Sequence, residues 1–290
     1  MSNITTTDVR CQKGDSAFLI DDGKTSILYD TGFGFTGFDV AENIKKVLGE
    51  RCLDYIFLTH SHYDHALGSA YILRHYPEAK VVAGEYARDI FKRDGAKKVM
   101  KRLDLAFAKK CGMADYEFLG DELRVDIPVC DGDIICAGDF RFEVIHLPGH
   151  TKCSVGFYSE KLKLFLSTET LGVYDGDKTI VPSFLSGYND TLKSIDRMKN
   201  YSIKQIVSPH FGLLGEDRTK FFLDNMKGAS ERYAEDILKK LNEGKSDDVI
   251  IREITNRFLH GYIKEIYPED AAILNTSIMI ELIRKELLSK

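Results

Sequence analysis

The stretch from residue 59 to residue 65 reads Thr-His-Ser-His-Tyr-Asp-His and constrains this chain more than any other. Four side chains able to bind a metal, His60, His62, Asp64 and His65, fall within six positions. Packing alone does not ask for such density, because polar and charged groups lose free energy when buried without partners. The flanking sequence says where the cluster sits. Residues 53–58 form a short apolar run of the kind that makes a buried strand, and residues 65–76 have helical spacing that stops at Pro77. The four side chains are therefore expected on a loop that leaves the carboxyl end of a strand and enters a helix.

Imidazole and carboxylate are the ligands that borderline divalent ions such as Zn²⁺ prefer. Several ligands on one short loop need others from elsewhere in the chain to complete two coordination spheres. Two distant histidines have the right context. His150 lies in Leu147-Pro148-Gly149-His150-Thr151, where proline and glycine form a sharp turn, and His210 follows Pro209 after the apolar run 203–207. His75, His146 and His260 stand alone and read as ordinary core or surface residues.

The rest of the chain alternates strand and helix, which indicates an α/β fold. Residues 17–20 and 26–29 read as an antiparallel hairpin around Asp21-Asp22-Gly23, running into Asp30-Thr31-Gly32. A helix is expected over 40–48 and a strand over 80–83. Further strands are expected at 134–135, 140–146, 154–158, 163–166 and 203–207, with a helix at 189–199. Residues 85–117 are charged and helical and read as an insertion that adds little to the core. After Gly215 the pattern becomes amphipathic helix over 220–241, 247–258 and 268–288. The expected organisation is a catalytic domain over 1–215 and a helical carboxyl-terminal module over 216–290. The aliphatic stripe Ile273, Leu274, Ile278, Met279, Leu282 and Ile283 in the last helix is expected to pack in the core.

Composition excludes several classes. With 43% hydrophobic and 29% charged residues the chain is an ordinary globular protein. Its formal charge of -5 makes nucleic acid an unfavourable partner unless a local basic patch overrides the overall field. The polar start MSNITTTDVR lacks an apolar signal core, and no apolar run is long enough to span a bilayer, so a cytoplasmic protein without a membrane partner is expected. Six scattered cysteines without a CxxC spacing read as reduced thiols, mostly in the core.

The run His60-Ser61-His62-Tyr63-Asp64-His65 resembles the His-x-His-x-Asp-His signature of the metallo-β-lactamase-like superfamily. His150 is similar to that family's Pro-Gly-His-Thr element, and His210 to its final histidine after a strand. The resemblance covers about residues 10–215 and implies a four-layer αβ/βα sandwich, here followed by helices. It also implies that His60, His62 and His150 hold one metal while Asp64, His65 and His210 hold a second. The family usually places a bridging aspartate after a glycine; this chain has Leu166-Ser167-Thr168-Glu169-Thr170-Leu171, with Glu169 in the aspartate's place. Glutamate keeps the charge and both oxygens but is longer by a methylene. It is expected as a ligand between the metals, the alternatives being contact with one metal or a hydrogen bond to another ligand. Zinc is the first choice of ion, with iron or manganese compatible with the added carboxylate reach.

Two such ions about 4 Å apart polarise a scissile group and hold a bridging hydroxide that is nucleophilic near neutral pH. Asp64 is the expected catalytic residue, orienting that hydroxide or passing a proton to the leaving group. The superfamily hydrolyses lactams, lactones, thioesters and phosphodiesters, so fold alone does not choose the substrate. Helices appended to the core are similar to the arrangement in glyoxalase II-type thioester hydrolases, which favours a small-molecule ester, thioester or lactone. Two alternatives stay open. The basic residues Lys92, Arg93, Lys97, Lys98, Lys101, Arg102, Lys109 and Lys110 suit a phosphodiesterase or nuclease. A regulatory or signalling protein that binds metal with little turnover is the other. A flavodiiron-type oxygen reductase fits poorly, because such proteins carry glutamate where this chain has His62. Nothing in the sequence sets the oligomeric state, and a homo-oligomer is compatible with it.

Overall fold

The computed structural model describes residues 4–113 and 115–288. The first six strands, β1 (Thr5–Asp8), β2 (Phe18–Asp21), β3 (Ser26–Tyr29), β4 (Tyr55–Phe57), β5 (Lys80–Gly84) and β6 (Ile127–Val129), form one sheet in sequence order. The pairs β1–β2 and β2–β3 are antiparallel, and β3–β4, β4–β5 and β5–β6 are parallel. The second sheet begins with β7 (Ile134–Ala137), β8 (Phe140–His146), β9 (Val155–Ser159) and β10 (Leu164–Leu166). A two-stranded ribbon, β11 (Val173–Tyr174) and β12 (Ile180–Val181), interrupts it before β13 (Gln205–Ser208) and β14 (Gly212–Leu214) complete the order β14-β13-β10-β9-β8-β7. Strands β8, β10 and β13 run in one direction, since β9 is antiparallel to both β8 and β10 while β13 is parallel to β10.

Strand residues point alternately to opposite faces, and that period places two layers of core on each sheet. Phe18, Ile20, Ile27, Tyr29 and Phe57 of the first sheet pack against Phe142, Val144, Phe157 and Leu166 of the second. Their neighbours Leu19, Leu28 and Ile56 face outward onto α1 (Gly37–Leu48), through Val40, Ala41 and Ile44, and onto the helices that follow the histidine loop. Those are α2 (Tyr63–Ala66) and α3 (Gly68–His75). The outer face of the second sheet, with Ile145, Tyr158, Phe165 and Ile206, is covered by α6 (Tyr188–Arg197) through Ile195 and by α7 (Glu216–Asn242) through Phe222 and Met226. The result is the expected helix–sheet–sheet–helix stack. Truncating a fully buried ring between the sheets, such as Phe57 to alanine, removes about 3–5 kcal/mol of stability.

The structure departs from the sequence reading in several places. The helix expected over 65–76 breaks at Leu67 into α2 and α3. A Cβ at Gly68 would stand 2.0 Å from the Thr31 carbonyl oxygen, so the glycine lets the loop after β3 press against the start of α3. The 85–117 region forms α4 (Glu85–Phe91) and α5 (Asp94–Lys110) and contributes more core than expected. Ala87, Phe91 and Met100 join the outer core of the first sheet, and Ala108 packs with Phe33 and Phe35. The cysteines also differ: all six are free, but Cys11, Cys52, Cys130 and Cys136 are exposed and only Cys153 is buried. The chain continues through α8 (Asp247–Phe258), α9 (Gly261–Ile266) and α10 (Glu269–Ile283). Of these, α9 gave no periodic signal, being little more than one turn long. Among the described residues no helix is long and apolar enough to cross a membrane.

Candidate metal centre

All the histidine-bearing loops leave the carboxyl ends of strands at one edge of the sandwich. The loop after β4 carries His60 and His62, and the short helix α2 adds Asp64 and His65. His150 follows β8 through Leu147-Pro148-Gly149. Gly149 has φ +143°, and a Cβ there would meet Thr191 Oγ1 at 2.1 Å, so only glycine allows this turn to lie against α6. Glu169 opens a single 3-10 turn, Glu169–Leu171, just after β10. His210 follows β13 with φ +61°, one of three non-glycine residues in the left-handed region among the described residues. Asp30, after β3, is another. Such backbone strain collects where a site requires a particular aim.

The structure brings the seven residues singled out in the sequence into one buried cluster. Ligand-capable atoms of His60, His62, His150 and Glu169 lie within 4.8 Å of one another, as do those of Asp64, His65 and His210. Glu169 joins the two groups. Its Oε2 is 2.8 Å from His150 Nε2 and 3.6 Å from both His60 Nε2 and His65 Nε2, and its Oε1 is 3.4 Å from His210 Nε2.

Hydrogen bonding on the far side of each ring fixes what faces inward. The Nδ1 atoms of His150 and His210 lie 2.8 and 2.9 Å from the carbonyl oxygens of Ser183 and Gly14, so each nitrogen donates. His65 Nδ1 donates to Asp30 Oδ2 at 2.8 Å. The Thr59 hydroxyl donates to Asp30 and so accepts from His60 Nδ1 at 2.9 Å. Four rings therefore turn Nε2 inward, and in His60, His65 and His210 that buried nitrogen has no hydrogen-bond partner. His62 is reversed, with Nδ1 only 2.9 Å from His150 Nε2. Lone pairs facing lone pairs and a carboxylate are repulsive unless a cation sits among them. The donor set thus fits metal ions, with outer partners holding four of the five rings as metal-binding histidines are usually held.

The electrostatics agree. Burial and the neighbouring imidazoles hold His60 and His62 well below the usual histidine range, leaving them neutral donors. For His65 burial acts the same way, but Asp30 and Asp64 outweigh it and raise its proton affinity well above the usual range. A field that draws a proton to Nε2 also draws a metal ion. Burial alone would raise Glu169, yet His150, His210 and His65 hold it well below the ordinary carboxylate range, as an anion.

Several residues that serve the cluster carried no motif. Asp30 orients His65 directly and His60 through Thr59, and also accepts from the Thr59 amide and the Ser16 hydroxyl. Its only signal was the Asp-Thr-Gly turn after a strand. From the other end of the chain, Tyr267 donates to Glu169 Oε1 at 2.9 Å. The strained carbonyl of His210 accepts from both Arg10 Nη1 and the Tyr262 hydroxyl. No local pattern announces tyrosines that reach the site from residues 262 and 267.

The cluster lies at the bottom of a cleft of about 560 Å³. One wall comes from α5, with Val99, Leu103 and Phe107, and another from α10, with Leu274, Asn275 and Ile278. A salt bridge between Lys110 and Asp270, 2.7 Å long, ties the two helices together. The aliphatic stripe of the last helix is therefore divided: Met279 and Ile283 are core, while Leu274 and Ile278 line the cleft.

Two sheets flanked by helices, with a histidine and carboxylate cluster at their common edge, are the architecture of metal-binding αβ/βα sandwiches. A model of the metallo-beta-lactamase superfamily matches residues 14–210, and this chain belongs to that superfamily. Among curated relatives it is 26% identical over 166 residues to the acyl-coenzyme A thioesterase MBLAC2 of Gallus gallus, covering 55% of this chain and 57% of that protein. The Bos taurus protein of the same name is 24% identical over 69% of this chain and 74% of its own length. Glyoxylase B2 of Dictyostelium discoideum is 29% identical over 48% of this chain and 43% of that protein. Among solved structures, a metallo-beta-lactamase family protein from Thermus thermophilus superposes with a TM-score of 0.63 at 19% identity, over 93% of this chain and 88% of that one. An archaeal superfamily protein from Sulfolobus tokodaii does so with a TM-score of 0.60 at 16% identity, over 99% and 100% of the two chains. These likenesses establish the fold.

Proposed function

We propose that this protein is a metal-dependent hydrolase of a small ester, thioester or lactone. The observation that carries the reading is the set of inward-facing lone pairs and one central carboxylate at the base of a largely apolar cleft. His60, His62 and His150 would hold one metal, Asp64, His65 and His210 a second, with Glu169 between them. Five imidazoles and two carboxylates suit zinc first, and iron or manganese next. When bound, such ions polarise a scissile carbonyl and supply a water nucleophile near neutral pH.

The chain's own residues supply the rest. Asp64, whose side chain keeps 19% exposure at the cleft wall, is placed to move a proton to the departing sulfur or oxygen as the acyl bond breaks. Asp30, Ser183 and Gly14 keep the rings aimed, and α5 and α10 exclude water from the acyl group. The relatives named as acyl-coenzyme A thioesterase favour a thioester within this class. The basic residues of α5 support nucleic acid less well. Lys97 pairs with Asp121 and Lys110 with Asp270, so part of the basic charge of this helix is already met by neighbouring carboxylates.

The test is a panel of ester, thioester, lactone and phosphodiester substrates with protein as purified, after chelation, and after divalent metal is restored. Turnover of an acyl substrate that chelation abolishes and metal restores is expected. Full activity in metal-free protein, or no acyl substrate turned over, overturns the reading.

A further inference from the structure

The cleft above the metal cluster is lined unevenly, and the unevenness identifies its occupant more narrowly. Its polar lining comes from the loops that carry the histidines, including Ser61 and Lys152, and from Lys110, Asp270 and Asn275 on the two helices. Its apolar lining comes chiefly from α5 and α10, with Ile90, Leu185 and Ile266 beside them. Val99 on α5 and Leu274 on α10 keep 46% and 45% of their surface exposed, so large aliphatic side chains are displayed to solvent on both facing walls. Leu103 and Ile278 continue the two walls. Clustered exposed apolar surface in a concave site marks a ligand surface rather than a solvated face.

From this we infer that α5 and α10 form the binding site for an aliphatic acyl chain, whose carbonyl carbon lies at the metal cluster. The polar leaving group then runs along the Ser61 and Lys152 side. The inference rests on the hydrolase reading for the position of the carbonyl, and on the two helices for the chain. It makes α5 and α10 the specificity elements: the seven cluster residues would handle any acyl group, and these walls select a long one. Each methylene buried between them strengthens binding about fourfold until the cleft is filled.

The experiment has two parts, both on the full-length, metal-loaded protein. In the first, kcat/KM is measured for acetyl to decanoyl thioesters of one small thiol, and for acetyl thioesters of alkyl thiols of rising length. A rise of about fourfold per carbon in the acyl series is expected. A rise confined to the alkyl-thiol series overturns the acyl assignment, and two flat series overturn the cleft. In the second part, calorimetry measures binding of the carboxylates from butanoate to decanoate, which needs no turnover. Affinity is expected to climb with length by the same factor. In Leu274→Asp and Val99→Asp the climb is expected to flatten, with melting temperature and metal content held as controls, because both positions are nearly half exposed. A climb unchanged in both variants overturns the proposal. Absence of any turnover together with a steep, variant-sensitive binding series would overturn the hydrolase reading while leaving the chain site standing.

Discussion

The sandwich edge and the helical walls above it are built on different principles. At the edge, four of the five histidines are fixed from behind by a donor or acceptor about 3 Å away, and substitutions there act through chemistry. Along α5 and α10 the surface is aliphatic and partly exposed, held by packing, by the Lys97–Asp121 and Lys110–Asp270 salt bridges and by the buried Asp104, and substitutions of its aliphatic residues act through shape. The contrast teaches where reaction and selectivity reside in this chain. In the proposed function the edge would determine what can be done to a bond, and the walls which molecule presents it.

The largest effect should follow from breaking the edge itself. Asp30→Asn removes the anion that aims His65 directly and His60 through Thr59, and a 10–100-fold loss of metal affinity is expected from chelator competition. Unchanged affinity would mean the rings need no such support.

The walls have their own buried charge. Asp104 on α5 accepts from the Gly34 amide at 3.0 Å and from the Tyr116 hydroxyl, and burial pushes its carboxyl up to about 7. Its native proton affinity exceeds the unfolded value near 3.9, so the folded state loses stability as pH rises from about 4 to about 7 and then levels off. Asp104→Asn should remove that decline and gain on the order of 2 kcal/mol relative to the wild type at pH 8. Urea titrations at pH 5 and pH 8 that show a constant difference would contradict it.

Between the two regions stands Tyr267. Losing its hydrogen bond to Glu169 in Tyr267→Phe is expected to weaken metal binding about tenfold and to alter the visible spectrum of cobalt-substituted protein. An unaltered spectrum would confine Tyr267 to packing. The smallest effect belongs to Lys110→Ala. Its pair with Asp270 is half exposed on one side and more so on the other, and such pairs contribute 0–1 kcal/mol, so a shift in melting free energy below about 0.5 kcal/mol is expected.

How much of this was legible in the sequence follows the same division. His60, His62, Asp64 and His65 stood out because their type and spacing make poor packing sense, His150 and His210 by the turns that carry them and Glu169 only through the family resemblance, and the structure gathers all seven. Strands β3 to β5 and β8 to β10 were readable from apolar runs, whereas β1, β6 and β14 lie at sheet margins, where partly exposed positions leave no buried apolar run to read. Asp30 looked like turn chemistry, and its conformation is indeed a turn's, but its partner His65 is 35 residues away. Tyr262 and Tyr267 reach the site across the whole fold, and only tertiary structure reveals such contacts. The split of the last helix between core and cleft was equally hidden, because one helix face looks the same whichever it meets.

The central claim is that these side chains form a two-metal centre joined by Glu169. Metal-to-protein ratios for the wild type and Glu169→Ala, by elemental analysis after reconstitution and desalting, test it most directly. Two ions per chain are expected in the wild type and fewer in the variant. A wild-type ratio near zero, or a variant that retains two ions with unchanged affinity, would contradict it.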